Sequence, residues 1–447
     1  MFQTMEALPG GQVRGSARVP GDKSISHRAI MLGSLAEGTT RVTGFLEGAD
    51  ALATMNVFRD LGVAIEGPVD GNVSIAGAGL HGLKAPSRAL ECGNSGTSMR
   101  LLSGLLAGQR FESRLVGDAS LSRRPMRRVI DPLAQMGARI DSSDGRPPLL
   151  VRPVAGLKAA HVRLQVASAQ VKSALILAGL YAQGTTRVTE PAPTRDHTER
   201  MLAAFGVAVD RDGADIAVAG GQALAACGID VPADISSAAF FLVAASICPG
   251  ADLQLHHVGM NPTRTGVLQI LRAMGADITE SKLRTIGGEP VADLRVRSAS
   301  LKGIEIPPEW VPLAIDEFPV LFIAAACADG VTVLRGAEEL RVKESDRIAV
   351  MAEGLAALGL PVEVTADGMR IEGRGGQATP FAGGTVDSHG DHRIAMSFAV
   401  AALRASAPVR ILDTANVDTS FPGFAALARS IGMPVEMQST PVRAASE

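Results

Sequence analysis

PGDKSISHRAIMLGSLAEG, residues 20–38, decides how the rest of the chain is read. It has two halves. Gly21, Asp22, Lys23 and Ser24 form a turn carrying a cation and a hydroxyl. From Ile25 the apolar residues Ile25, Ala29, Leu32, Leu35 and Ala36 recur at helical spacing, and Gly38 is placed to close the helix as its C-cap. Such a helix directs its first N–H groups and the positive end of its dipole at whatever lies before Lys23. Lys23 and Arg28 add full charges, so the stretch predicts an anion site.

The same pattern returns five times. Small-residue apolar helices are expected after the polar starts at 94–97, 168–170, 236–237, 316–317 and 391–393. A β-type run follows each of the six helices, among them TTRVTGFL, TTRVTE and VTVLRG. A second helix then ends at an apolar residue plus glycine: Gly62, Gly137, Gly206, Gly275, Gly359 and Gly432, spaced 75, 69, 69, 84 and 73 residues apart. Solenoid repeats run about 20–50 residues, so these are whole βαβ-type units. Three units fall in 21–233 and three in 234–447, with 1–20 read as a strand region belonging to the second half and 437–447 as a loose tail. The crossovers near 20–21 and 232–237 are short, which implies a hinge between two similar domains.

Composition excludes several classes. The 447 residues are 46% hydrophobic and 20% charged, which is ordinary for a globular chain. A net charge of −3 argues against nucleic acid or an anionic membrane as partner. Aromatics are only 3%, so the cores must be built from Ala, Leu, Val, Ile and Met. Cys92, Cys227, Cys248 and Cys327 are far apart with no CxxC spacing, as expected of reduced thiols in a cytoplasmic protein. No signal or transit pattern opens the sequence, and no apolar run approaches the ~18 residues of a membrane span. P-loop, GxGxxG, HExxH and GxSxG patterns are absent, so neither cofactor nor metal nor covalent serine is expected.

Charge placement narrows the chemistry. The starts of the small-residue helices carry Lys23, Ser24, Arg28, Asn94, Thr97, Ser168, Gln170, Asp316, Asp391, His392 and Arg393. The loops after the strands carry Arg123, Arg124, Arg195, Arg264, Lys343, Glu344 and Arg347. If the units are built alike, these positions gather helix N-termini and guanidinium groups around a ligand with at least two anionic groups. Asp316, Glu344 and Lys23 are the candidates for proton transfer, a carboxylate among cations being suited to act as a base and a lysine among cations giving up its proton more readily. By spacing alone Asp316 also reads as an N-cap and Glu344 as a first-turn helix charge.

At this point nine motifs, in order, resemble the 5-enolpyruvylshikimate-3-phosphate synthase family: PGDKSISHRA (20–29), GNSGTSMR (93–100), GDASLSRRPM (117–126), SAQVKSA (168–174), PTRDHTERM (193–201), MNPTRTG (260–266), AIDEFP (314–319), ELRVKESDR (339–347) and DHRIAMSF (391–398). The resemblance implies an α/β fold of two domains, each of three βαβαββ units with helices inside and sheets outside. It implies transfer of enolpyruvyl from phosphoenolpyruvate to shikimate 3-phosphate by a cytoplasmic, cofactor-free monomer of the shikimate pathway that is a glyphosate target. Carried over motif by motif, Lys23 touches both substrates. Ser24, Arg28, Ser168, Ala169, Gln170, Arg195, Asp316 and Lys343 bind shikimate 3-phosphate, and Gly96, Arg124, Gln170, Arg347 and Arg393 bind phosphoenolpyruvate. Asp316 takes the proton of the attacking hydroxyl and Glu344 supplies one to the methylene carbon.

The wording is nearer the glyphosate-tolerant bacterial branch than the enteric and plant branch. Ala169 stands where the enteric branch has Ser, Glu339 near its Asn, and 418–422 reads DTSFP without its Lys. Gly96 stands where strongly tolerant enzymes have Ala. The alternative is the sister transferase acting on UDP-N-acetylglucosamine, which usually carries a Cys in the loop matching 117–124; that loop here is GDASLSRR.

Overall fold

The computed structural model describes residues 2–440, and the expected tail beyond residue 440 lies outside them. The chain groups into two compact units. One comprises Gly21–Pro232 with the short stretch Thr285–Glu289; the other comprises Met1–Pro20, Ala233–Arg284 and Pro290–Glu447. They are called the first and second unit below.

Each unit has three buried helices rich in small and aliphatic residues. In the first unit these are Lys23–Leu35, Gly96–Ala107 and Ala169–Gly179. In the second they are Ile235–Ile247, Phe318–Ala326 and His392–Ala402. Ile235–Ile247 and Phe318–Ala326 are buried along their whole length, so they lack the polar stripe of a surface helix. Small residues let such helices meet closely: a Cβ on Gly104 would overlap the Ala174 carbonyl of the neighbouring helix.

The sheets repeat one plan. The strand that follows a buried helix has a parallel neighbour on one side and an antiparallel hairpin on the other. Thr185–Thr189, for example, pairs in parallel with His161–Arg163 and antiparallel with Asp215–Ala219, which in turn pairs with Val209–Asp212. Ser113–Val116 and Ala36–Thr43 sit in the same way. In the second unit Asp252–Gly259 lies between Arg14–Ala17 and Glu289–Arg297. The last sheet is completed from the other end of the chain: Phe2–Ala7 lies between Val409–Leu412 and Val435–Thr440, antiparallel to both. Residues 437–440, expected to be tail, are therefore strand.

The six glycines after the second helices are the clearest repeat. Gly62, Gly137, Gly206, Gly275, Gly359 and Gly432 have φ of +85°, +87°, +82°, +94°, +81° and +90°. Each reverses the chain out of a helix through backbone space that costs an L-residue about 1–2 kcal/mol. Gly38 differs from its expected role. The first helix ends at Leu35 with Ala36 already extended, and Gly38 uses φ +100° inside the strand Ala36–Thr43. The cysteines are free thiols, with Cys92, Cys248 and Cys327 buried. No helix of the described residues is long and apolar enough to cross a membrane.

Gly137 isolates the conformational cost, because nothing lies within 4 Å of a Cβ built on it. Gly137→Ala should cost about 1–2 kcal/mol, and Gly137→Asn should recover part of that because Asn tolerates the left-handed region. Urea denaturation of the two variants checks this; an Asn variant no more stable than the Ala variant would show that φ is not what selects glycine there.

Candidate active site: two clusters of charged side chains

In the first unit the site residues start from helix N-termini that are already capped. Asp22 accepts the N–H of Ile25 at 2.9 Å, Ser95 that of Ser98 at 3.1 Å and Ser168 that of Val171 at 3.4 Å. The front of the first helix thus carries an acid as well as the expected cations. Lys23 is its first helical residue, and its ammonium is ion-paired with the carboxylate of the buried Asp50. Sequence alone places Lys23 among cations; in the structure a carboxylate, Asp50, stands against it. Nothing in the local pattern marked Asp50, which arrives from the helix Ala49–Asp60.

Arg28 is buried and braces three segments. Its Nε donates to Thr198 Oγ1 at 2.7 Å, Nη2 to Ser173 Oγ at 2.9 Å and Nη1 to the Ser24 carbonyl at 2.9 Å. Burial pulls its pKa down to about 10. Three of its five N–H donors are therefore committed to protein oxygens. The expected role as an anion ligand is narrowed accordingly. Arg195 follows Thr194, which is pinned by the buried Glu190 and by Lys172. Glu190 accepts the Thr194 N–H at 3.1 Å as well as its hydroxyl, and Lys172 reaches Glu190 at 3.1 Å, Glu199 at 2.8 Å and the Thr194 carbonyl at 3.4 Å.

Gly96, Arg124 and Gln170 come together around a residue that the reading of charges passed over. Arg100 donates from Nη1 to Gln170 Oε1 at 2.6 Å, and Gln170 Nε2 donates to Thr97 Oγ1 at 2.9 Å. Arg124 Nη2 donates to Asn94 Oδ1 at 2.7 Å. A Cβ on Gly96 would lie 2.9 Å from Arg100 Nη1 and 3.2 Å from Arg124 Nη1. Two guanidinium groups thus flank the N-terminus of the helix Gly96–Ala107, an arrangement suited to an anion. Arg100 stood inside the motif GNSGTSMR, and its place one turn after Gly96 was the available signal.

The second unit gathers Asp316, Lys343, Glu344, Arg347, Asp391 and Arg393. Arg347 is 1% exposed yet charged. Its Nε donates to Asp391 Oδ2 at 2.8 Å, Nη2 to Glu344 Oε2 at 2.8 Å and to Asp391 Oδ1 at 3.3 Å, and Nη1 to Asp316 Oδ1 at 3.3 Å. Burial disfavours the cation, but the three carboxylates outweigh burial and hold its pKa above the ordinary value. Burial likewise raises Asp391, the Arg347 guanidinium lowers it further, and the net direction is downward.

Neither proton-transfer candidate of this unit takes the structural role its spacing allowed. Glu317, not Asp316, occupies the N-cap of Phe318–Ala326. Asp316 instead faces Lys343 Nζ at 3.5 Å and Arg347. Asp346 caps Arg347–Ala357, which leaves Glu344 outside that helix. Lys343 also lies 3.6 Å from Glu339. Arg393 is in the first turn of His392–Ala402, and its Nη1 is 3.8 Å from Glu317 Oε1. No group of three or more His, Cys, Asp or Glu suited to a metal ion occurs among the described residues.

Residues 8–427 match the family model for EPSP synthase (3-phosphoshikimate 1-carboxyvinyltransferase). Two similar proteins carry the name 3-phosphoshikimate 1-carboxyvinyltransferase. That of Alkalilimnicola ehrlichii is 67% identical over 426 residues, covering 95% of each chain. That of Halorhodospira halophila is 66% identical over 436 residues, covering 97% of each. The solved structure of EPSP synthase from Acinetobacter baumannii superposes with a TM-score of 0.89 at 57% identity, over 98% of this chain and 100% of that one. The chain belongs to the EPSP synthase (3-phosphoshikimate 1-carboxyvinyltransferase) family.

The Asp391–Arg347 pair should contribute to the acid sensitivity of the second unit. A carboxyl whose folded pKa is depressed stabilises the fold above its unfolded value of about 3.9, and that stabilisation is lost as pH falls through the folded pKa. Asp391→Asn should therefore cost about 3 kcal/mol or more at neutral pH, with the gap to the native protein narrowing below about pH 4. Urea unfolding at pH 7 and in the acid range reads both; a gap independent of pH would remove the carboxylate charge from the account.

Proposed function

We propose that this chain transfers the enolpyruvyl group of phosphoenolpyruvate to the 5-hydroxyl of shikimate 3-phosphate, releasing phosphate, with the two clusters as its catalytic and binding groups. It is a transferase of the shikimate pathway, which leads to the aromatic amino acids. One observation carries the assignment of roles: the Arg347 guanidinium contacts Asp316 and Glu344 together. In the addition step Asp316 accepts the proton of the 5-hydroxyl as its oxygen bonds to C2 of phosphoenolpyruvate. Glu344 delivers a proton to C3, giving a tetrahedral adduct with a methyl group. In the elimination step C3 returns a proton as the C–O bond to phosphate breaks.

The binding roles follow the same clusters. Arg124, with the backbone at Gly96, and Arg393 bind phosphoenolpyruvate, and Gln170 joins them, fixed by Arg100 and Thr97. Arg347 acts mainly by holding its carboxylates in place. Lys23, Ser24, Ser168, Ala169 through its backbone, Arg195 and Lys343 serve the shikimate phosphate and ring, with Arg28 as their brace. Ser168 suits this role, since a hydroxyl that caps through its oxygen keeps a proton to donate. The family fold, three βαβαββ units per domain with helices inside, accords with the repeated sheet plan. We assign the working enzyme to the cytoplasm as a monomer.

Asp316→Asn should keep substrate binding and lose about 10²–10⁴ in kcat. Steady-state kinetics with isothermal titration of shikimate 3-phosphate tests this, and more than about a tenth of native kcat would remove Asp316 as the base.

Gly96→Ala should weaken glyphosate more than phosphoenolpyruvate. The new methyl would press on Arg100 Nη1 and Arg124 Nη1, at 2.9 and 3.2 Å, and make them yield by a few tenths of an ångström. The longer inhibitor has less room to follow. The inhibition constant for glyphosate beside the KM for phosphoenolpyruvate decides it; equal factors would show that Gly96 is not a length gauge.

A further inference from the structure

The successive carboxylates Asp316 and Glu317 turn to different cations. Asp316 meets Lys343 and Arg347. Glu317 meets Arg393 and the Ser236 hydroxyl. Glu317 is 2% exposed, sits at the N-cap position of Phe318–Ala326, and makes no side-chain hydrogen bond to that helix. A buried carboxylate that does not cap its helix needs another reason to be charged and in place. We infer that Glu317 is a positioning residue that aims the Arg393 guanidinium at the anionic substrate, an inference that rests on the assignment of Arg393 to phosphoenolpyruvate.

The hydrogen-bond directions fix the carboxylate. Arg264 Nη2 donates to Ser236 Oγ at 2.6 Å and to Asp234 Oδ1 at 3.1 Å. With its oxygen accepting from Arg264, the Ser236 hydroxyl is oriented to give its proton to Glu317 Oε1. Asp234 is anchored by capping Ile235–Ile247 through the Ser236 N–H at 2.9 Å. The chain of contacts therefore runs from one buried helix N-terminus to another and ends on Arg393.

The geometry at Arg393 separates positioning from saturation. The pair Arg393 Nη1 to Glu317 Oε1 is 3.8 Å, an ion pair longer than a hydrogen bond. Its charge directs the guanidinium without occupying its N–H groups. Arg347 is the contrast: carboxylate oxygens stand at hydrogen-bond distance from all three of its nitrogens. A guanidinium that keeps its fork of donors while held in direction is the form suited to a phosphate or carboxylate.

The test is a double-mutant cycle on Glu317→Gln and Arg393→Ala, read as KM for each substrate and kcat. The Gln amide oxygen still accepts from Ser236, so the change removes the charge and little else. KM is read on the folded enzyme, so a loss of stability does not obscure it. Glu317→Gln should raise the KM for phosphoenolpyruvate about tenfold while the KM for shikimate 3-phosphate moves less than about twofold. In the Arg393→Ala background the same change should add almost nothing, and Glu317→Asp should restore part of the affinity. Full multiplication of the two single effects, or an equal rise in both KM values, overturns the positioning role alone. An Arg393→Ala enzyme with unchanged KM for phosphoenolpyruvate overturns the assignment of Arg393, and the inference with it.

Discussion

A helix buried along its length must still satisfy the N–H groups of its first turn, and that constraint shapes both clusters. Water cannot do it, so side chains do: Asp22, Ser95 and Ser168 in the first unit, Asp234 and Asp391 in the second. The helix bodies are mostly Ala, Leu, Val, Ile and Phe, with few polar groups further along, among them Arg28, Arg100 and Lys172. Much of the polar chemistry is thereby gathered in the first two turns of these helices. The same positions hold the groups proposed to bind anions, because the requirement that selects a cap also presents N–H groups and a positive dipole end.

This is also why so much was legible in the chain. A buried helix with a polar start and a glycine-closed partner leaves a pattern that repeats at unit length, and the six positive-φ glycines are fixed by local backbone geometry alone. Three kinds of feature were not legible. Phe2–Ala7 completes a sheet with strands about 400 residues away, and period-two patterning carries no information about the partner. Asp50 and Arg100 act on Lys23 and Gln170 through tertiary approach, since each sits in a helix different from its partner's. The capping status of Asp316 was decided by one residue: Glu317 took the cap position and left Asp316 to face Lys343 and Arg347.

The two arginines of the second unit show that type and position do not fix role. Motif matching treats Arg347 and Arg393 alike. Burial distinguishes them. A guanidinium at 1% exposure has lost its hydration and must be repaid by carboxylates; Arg347 has three. Arg393, at 14% exposure, keeps partial access and one distant carboxylate. That difference in exposure and partners is the ground for proposing Arg393 as the binder of an incoming anion and Arg347 as the hub that holds its carboxylates.

That hub gives the proposed proton transfer an electrostatic consequence. Asp316 shares Lys343 and Arg347 as counter-charges. While Asp316 is ionised, much of their field is neutralised locally. When it accepts the hydroxyl proton, both cations lose a counter-charge at the moment when the two anionic substrates are joining. Nothing has to move for this to happen, because the carboxylate oxygen and both nitrogens are already in place. The field released by protonating the base falls as one over distance, so it acts most strongly on whatever anion lies against Lys343 and Arg347. In the proposed step, protonating Asp316 thus leaves Lys343 and Arg347 with more of their field for the substrate anions beside them.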